Sequence, residues 1–270
     1  MLEIVGARKT FHAGSVNEVR ALAGVTVSIP PGSFTVVIGT NGSGKSTLLN
    51  AVAGSFLLDE GKVRLAGQDI THWPEHGRAA LLGRVFQNPF TGTAPQLSIA
   101  ENFALAARRG YTRGLGWAVN AGLRRQLGEV VAQLGMGLED RLDTPIGTLS
   151  GGQRQALTLL MATWQKPQLL LLDEHTAALD PKSADQVVTL TEKIIARQQL
   201  TALMVTHSMQ QAARFGDRLV MMHRGQIIED FAADRKKRVR AEELLERFEE
   251  LRRSELLDES AAEMLERCYV

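Results

Sequence analysis

The stretch Gly39-Thr40-Asn41-Gly42-Ser43-Gly44-Lys45-Ser46-Thr47 has the residue types and spacing of a phosphate-binding loop, G-x-x-x-x-G-K-[ST]. It follows the apolar run Thr35-Val36-Val37-Ile38 and precedes Leu48-Leu49-Asn50-Ala51-Val52-Ala53, which suits a helix, so the motif has the strand–loop–helix setting that its chemistry needs. Glycines let the chain wrap closely enough for backbone N–H groups to face phosphate oxygens, and the helix start adds a positive dipole. Gly39, Asn41, Gly42, Ser43, Gly44, Lys45, Ser46 and Thr47 are therefore expected to hold a nucleotide's phosphates. Lys45 would neutralise the β and γ phosphates, and the Ser46 hydroxyl would ligate Mg²⁺. A carboxylate must hold the metal from its other side. Leu169-Leu170-Leu171-Leu172-Asp173-Glu174 supplies one at the end of a strand-length apolar run. Asp173 is the expected metal ligand, and Glu174 is the expected general base that polarises an attacking water, which makes the chain a hydrolase. An acidic pair after a strand also suits a helix N-cap, so that structural role stands beside the catalytic one.

Leu149-Ser150-Gly151-Gly152-Gln153 stands ahead of an amphipathic segment, Arg154 to Lys166, and its backbone at a helix start is a second anion-binding nest. With this motif the sequence resembles the ATP-binding cassette (ABC) ATPases, whose signature is LSGGQ. The resemblance runs from near residue 1 to about residue 230 in the family's order. It implies ATP and Mg²⁺ as cofactors, and it implies that Ser150, Gly151, Gly152 and Gln153 cap the γ-phosphate held by another subunit's P-loop, so that catalysis requires a dimer. Gln87, in Val85-Phe86-Gln87-Asn88-Pro89, matches the Q-loop, a ligand for Mg²⁺ or water that reports on the nucleotide. Asp180, in Ala178-Leu179-Asp180, matches the D-loop that links the two sites. His207 matches the switch histidine, a hydrogen-bond donor to the γ-phosphate, and Phe11 falls where the family places the aromatic that stacks on adenine. Taken singly, Gln87, His207 and Phe11 would be structural residues. His72 and His76 are four apart, but Pro74 between them disfavours the helix that would align them on a metal, and His175 is expected to be structural.

Elements of matching type must position these groups. Thr35–Ile38, Leu169–Leu172, Ala202–Val205 and Arg218–Met222 are short apolar runs separated by helix-length segments, the mark of a parallel sheet covered by helices. The alternating segments Leu2–Val5, Val25–Ile29 and Lys62–Leu65 predict an antiparallel side sheet. Between about Ile99 and Leu149 the β-rich pattern gives way to helical stretches, Ile99–Arg109 and Ala121–Leu134. The expected fold is therefore α/β, a P-loop NTPase parallel sheet core with an antiparallel β side sheet and an inserted helical subdomain at about 90–150. The expected division is a nucleotide-binding domain over 1–233 and a charged helical tail over 234–270. In that tail Leu244, Leu245, Phe248 and Leu251 are expected on one face, and Arg235-Lys236-Lys237-Arg238 with Arg240 is read as a solvated basic run.

Composition narrows the function classes. The 270 residues carry 31 Lys and Arg against 30 Asp and Glu, so no bulk charge draws the chain to nucleic acid or to an anionic membrane. The single cysteine, Cys268, excludes intrachain disulfides and cysteine-rich metal sites and is read as inert. Met1-Leu2-Glu3-Ile4-Val5 lacks the pattern of a secretory signal, and no window approaches the roughly 18 apolar residues of a membrane span. Short cassette spacing, one cassette and almost no cysteine set the chain apart from the repair, chromosome-organising and translation members of the family. The resemblance then implies the motor subunit of a bacterial importer, nearest the amino-acid uptake group. Its partners would be separate permease subunits, a second copy or related cassette, and indirectly a solute-binding protein, on the inner face of the cell membrane. A soluble single-cassette ATPase of iron–sulfur assembly or cell division is the alternative. Asn88 to Ser98 is the expected permease-docking segment, with Phe90 and Leu97 exposed.

Overall fold

The computed structural model describes residues 1–111, 118–251 and 253. Strands β1 (Leu2–Phe11), β2 (Val19–Ile29), β4 (Glu60–Leu65) and β5 (Gln68–Asp69) form an antiparallel sheet in the order β2-β1-β4-β5. A second sheet takes β3 (Phe34–Gly39), β6 (Leu82–Val85), β7 (Leu169–Asp173), β8 (Ala202–Val205), β9 (Arg218–His223) and β10 (Gln226–Ala232) in the order β10-β9-β3-β8-β7-β6. Its first pair is antiparallel and the other four are parallel. The helices are α1 (Lys45–Ala53), α2 (Glu75–Arg78), α3 (Ile99–Ala106), α4 (Ala121–Ala132), α5 (Gly151–Thr163), α6 (Pro181–Gln198), α7 (Met209–Arg214) and α8 (Ala233–Lys236), followed by a helix over 241–251.

Side chains of one strand alternate between sheet faces, and β7 shows what that does here. Leu169 and Leu171 enter the core beneath α1 and the antiparallel sheet, whereas Leu170 and Leu172 enter the core shared with α3 to α6. Both faces are covered, which is why the run reads as four leucines rather than an alternation. The helical insert is fastened at its base. Ser98 bridges Pro145, and the Ile99, Ala100 and Ile146 N–H groups donate to the Thr144, Leu142 and Leu97 carbonyls. The buried Asn102 amide donates to the Ala94, Leu97 and Ser98 carbonyls and accepts from the Ala94 N–H.

Several local expectations change. The strand β6 was not marked by the sequence pattern, because Gly83 and Arg84 interrupt its apolar run. A Cβ on Gly83 would lie 2.5 Å from the Ala162 carbonyl oxygen, so the glycine is what lets α5 approach the strand. The helix expected from Arg154 starts three residues earlier, at Gly151, capped by Ser150. In the C-terminal helix Leu244 is buried and Phe248 and Leu251 pack on the core, but Leu245 is 50% exposed. Adjacent helical positions point about 100° apart, so Leu244 and Leu245 cannot both face the sheet. Leu97, expected exposed, is half-buried, and its backbone is engaged on both sides. Cys268 and the rest of the tail beyond residue 253 lie outside the described residues.

His175 follows the acidic pair and is fully packed. Thr191 of α6 gives its single hydroxyl proton to the Val187 carbonyl, so the 3.1 Å contact to His175 Nε2 requires that ring nitrogen to donate. Burial pushes the imidazole down to about 4 from 6.5. The unfolded chain therefore binds more protons between those values, and stability rises with pH through the window. Urea unfolding should lose about 3 kcal/mol as pH falls from 6.5 to 4 on this account. His175→Leu should flatten the dependence by about 1.4 kcal/mol per pH unit; an unchanged slope would show that the ring does not control it.

Candidate functional site

Register between strands brings the candidate residues to one end of the parallel sheet. Val37 of β3 pairs with Val205 of β8, Val205 with Asp173 of β7, and Leu172 with Val85 of β6. The P-loop, the acidic pair, His207 and Gln87 all lie at or just past these levels, at the carboxyl ends of the strands, where open α/β sheets bind ligands.

The loop's shape is imposed by close approaches. A Cβ on Gly39 would lie 2.3 Å from the Met222 carbonyl oxygen and 2.4 Å from Ser43 Oγ; one on Gly44 would lie 2.3 Å from the Ala21 carbonyl oxygen, at a φ of 98°. Gly44 is the N-cap of α1 and no side chain caps that helix, which leaves its first-turn N–H groups aimed at the loop's concavity. Ser46 is exposed at the mouth, and Lys45 is buried. Lys45 Nζ donates to the Gly39 and Thr40 carbonyls at 2.9 and 2.8 Å, so the lysine is folded along its own loop. Burial lowers its pKa, and the Glu174 and Asp173 carboxylates oppose that shift.

The Asp173 carboxylate is largely enclosed, and burial raises its pKa against the pull of Arg84, whose guanidinium lies 3.6 Å from Oδ2. Glu174 takes a left-handed φ of 44°, a conformation that costs on the order of 1–3 kcal/mol for a residue with a side chain. Its N–H donates to the Val205 carbonyl at 2.9 Å, and its carbonyl accepts from Ala177. These bonds hold the strain and turn the side chain toward β8, where Oε2 lies 3.1 Å from His207 Nδ1. Gln211 clasps the two loops from behind, donating to Thr176 and accepting from Thr206. A carboxylate in contact with an imidazole, next to a lysine and a largely enclosed aspartate, can accept a proton from water beside a bound phosphate.

Not every candidate joins this cluster. Gln87 is exposed past the end of β6, and its segment is tied to α5 where Gln155 Nε2 donates to the Phe86 carbonyl. Phe11 packs edge-on against Phe56 at 5.3 Å, with Lys9 Nζ over both rings and paired to Asp59. Ser150 and Gln153 cap each other in a reciprocal box at the start of α5. A Cβ on Gly151 would meet Leu179 at 3.2 Å, and one on Gly152 would meet Ser183 at 2.8 Å, so this helix start packs on the loop into α6. Asp180 caps α6 through the Ser183 N–H, a bond that holds its carboxyl below the usual range. Among the described residues no hydrogen bond or ion pair joins Ser150 to Gln153 with the P-loop. Sequence reasoning missed Arg84, Phe56 and Gln211, whose partners come from distant segments.

The donor set fits magnesium. The Ser46 hydroxyl, the Asp173 carboxylate and the Gln87 amide oxygen are all hard oxygen donors. Among the described residues no group of three or more His, Cys, Asp or Glu could hold a metal alone, so phosphate oxygens would have to complete the shell, as Mg²⁺ prefers.

A family model described as ABC transporter matches residues 22–177. A tyrosine transport ATP-binding protein of Clostridioides difficile is 38% identical over 249 residues, covering 92% of this chain and 99% of that protein. A lipoprotein-releasing system ATP-binding protein, LolD 1 of Caulobacter vibrioides, is 33% identical over 225 residues, covering 82% and 92%. Among solved structures, the dimeric post-hydrolysis state of the ATP-binding cassette MJ0796 bound to ADP and Pi superposes with a TM-score of 0.72 at 27% identity, covering 85% of this chain and 97% of that one. A phosphate loop, an acidic pair and a capped LSGGQ helix on this sheet order thus accompany a family match over more than half of the sequence, and the chain belongs to the ABC transporter family as an ATP-hydrolysing cassette.

Proposed function

We propose that this cassette is the motor of a transporter whose membrane-crossing parts are separate permease chains, and that it works as a pair. The observation that carries the reading is the division of the site. Loop, acidic pair and histidine meet at the sheet end, while Ser150 and Asp180 stand exposed elsewhere, with Gly151 and Gln153 half-buried and Gly152 buried beside them, an edge available to a second cassette's nucleotide. The cassette spans 1–233 with its helical subdomain at about 90–150. The first part of the 234–270 tail is a brace on β9 and β10, where Arg247 and Arg235 pair with Glu229.

In this reading the loop N–H groups and Lys45 bind the phosphates, and Lys45 exchanges its two carbonyl partners for phosphate oxygens. Phe11, backed by Phe56, stacks on the base. Ser46, Asp173 and Gln87 would hold Mg²⁺, which supplies charge neutralisation on the phosphate oxygens. Glu174 takes the proton of the attacking water, and His207, now resting on Glu174, donates toward the γ-phosphate. To carry a pair of cassettes from 1:99 to 99:1 closed, ATP must favour the closed form by about 5.5 kcal/mol.

A groove of about 700 Å³ between α2, β6 and α3 is the permease-docking candidate. Gly92, Thr93 and Ala94 of the expected docking segment line it, together with Leu105 and Tyr111, which are 55% and 71% exposed. Phe90 stands outside it, stacked on Arg154 at 3.7 Å. Among the described residues no helix is long and apolar enough to cross a membrane. Amino-acid uptake with a solute-binding protein is the reading favoured by the tyrosine transport relative; the lipoprotein-releasing relatives name the other direction.

Glu174→Gln should lower turnover roughly 100- to 10,000-fold while ATP still binds, and an ATP-bound dimer should accumulate on a sizing column. Ser150→Arg should bind ATP as a monomer and fail to dimerise. Normal hydrolysis by the Ser150 variant would end the shared-site reading.

Leu105→Glu should release the chain from membranes when it is co-expressed with its neighbouring permease genes, with ATP affinity serving as the control for folding. A wild-type chain that never sediments with those membranes would instead favour a soluble cassette of iron–sulfur assembly or cell division. Unchanged tyrosine and related amino-acid uptake in a deletion strain would refute the solute class alone.

A further inference from the structure

We propose that Arg84 is a positioning residue that fixes the spacing between Ser46 and Asp173, the two groups read above as magnesium ligands on separate elements. The inference rests on that metal reading. Arg84 lies on β6, and its side chain is only 14% exposed. Its Nη2 donates to Asn50 Oδ1 at 2.5 Å and lies 3.6 Å from Asp173 Oδ2; its Nη1 donates to Ser55 Oγ at 3.2 Å, and Glu75 Oε1 is 4.0 Å away. The Phe86 ring lies 4.5 Å from the guanidinium carbon and fixes the plane of the group.

Asn50 is four residues after Ser46 on α1, so the two share one face of that helix. A bond to Asn50 therefore sets the rotation of α1 that presents Ser46, while the same nitrogen steers the Asp173 carboxylate at the end of β7. One planar cation thus ties both would-be ligands to a third element. The planar guanidinium fixes the directions of both Nη2 hydrogens while Nη1 anchors on Ser55, which a rotating lysine ammonium does not reproduce. Groups behind a metal's ligands set their orientation, and losing one typically costs 10- to 100-fold in metal affinity.

The test uses the full chain carrying Glu174→Gln, loaded with ATP, with Mn²⁺ as the probe and free Mn²⁺ read by electron paramagnetic resonance. Adding Arg84→Met should weaken Mn²⁺ binding about 10-fold while ATP affinity measured in EDTA is unchanged. Arg84→Lys should fall between parent and Met, and Asn50→Ala should give a smaller loss that does not add to that of Arg84→Met. Parent-like Mn²⁺ affinity in the Met variant overturns the proposal. Tighter binding does so too, because removal of a positive charge would then be the whole effect. If Arg84→Met does not fold, an Asn50→Ala chain with unchanged Mn²⁺ affinity overturns it equally. A parent that binds no Mn²⁺ in the presence of ATP fails one step earlier, at the reading of Ser46 and Asp173 as ligands.

Discussion

The backbone of the phosphate loop runs so close to its neighbours that side chains are excluded, and the architecture is arranged around that closeness. Gly44 lies beneath the Ala21 carbonyl of β2, and Gly39 beneath the Met222 carbonyl of β9. The Gly225 N–H reaches the Ser43 carbonyl, and the Gly225 carbonyl receives the Ala23 N–H. The loop is thus pinned between the two sheets through backbone groups alone. That arrangement gives an antiparallel sheet that contributes no catalytic side chain a part in shaping the loop. It supplies the wall that holds the N-terminus of α1 open, uncapped and facing outward. The buried Arg78 secures the other end, donating to the Ala51 and Val52 carbonyls of the last turn of α1 and to the Thr71 and Trp73 carbonyls.

Electrostatics then decides what such a cradle accepts. Lys45, Arg84, Asp173 and Glu174 share one sheet end, and their charges are largely matched before any ligand arrives. The lysine rests on carbonyls, the arginine on Asn50 and Asp173, and the glutamate on His207. Buried charges are tolerable only when paired in this way. The lysine's contacts are substitutes that a triphosphate can displace, since anionic oxygens offer Lys45 more than neutral carbonyls do. The strained backbone at Glu174 belongs to the same design. It fixes the carboxylate's direction toward His207 in advance of any ligand.

The fold was legible where burial is two-sided or where a motif carries its own setting. Leu169 to Leu172 could be read as a central strand because every residue is covered, and Gly39 to Thr47 because its loop joins a strand to a helix. Other features resisted for physical reasons. Gly83 and Arg84 make β6 look unlike a strand, yet one serves the approach of α5 and the other the packing of Asp173 and Asn50, neither of which leaves a local pattern. Leu97 looked like a free apolar residue, but four backbone and amide bonds gathered by Asn102 fold its segment inward. Leu245 was misread because an apolar count over a helix does not distinguish neighbours 100° apart. The site's chemistry was named by its motifs, whereas its supporting residues come from segments with no sequence signal in common.

The short segment from Phe86 to Phe90 shows how such supports give a cassette its mechanical character. Arg84, rooted on Asn50 and Asp173, lies over the Phe86 ring, and Arg154, rooted on the Ile146, Gly147 and Leu149 carbonyls, lies over the Phe90 ring. Gln155 adds a bond from the signature helix to the Phe86 carbonyl. Gln87 is therefore carried on a span clamped at one end by the nucleotide side and at the other by the helix whose start presents Ser150. The groove candidate begins two residues beyond Phe90, at Gly92. A displacement at either end must be taken up by the span or passed along it, because cation–aromatic and buried hydrogen-bonded contacts shift between discrete arrangements more readily than they stretch. The cation-over-ring contacts, each worth about 0.5–2 kcal/mol according to how far the pair is removed from water, are strong enough to keep the span in register and weak enough to be exchanged.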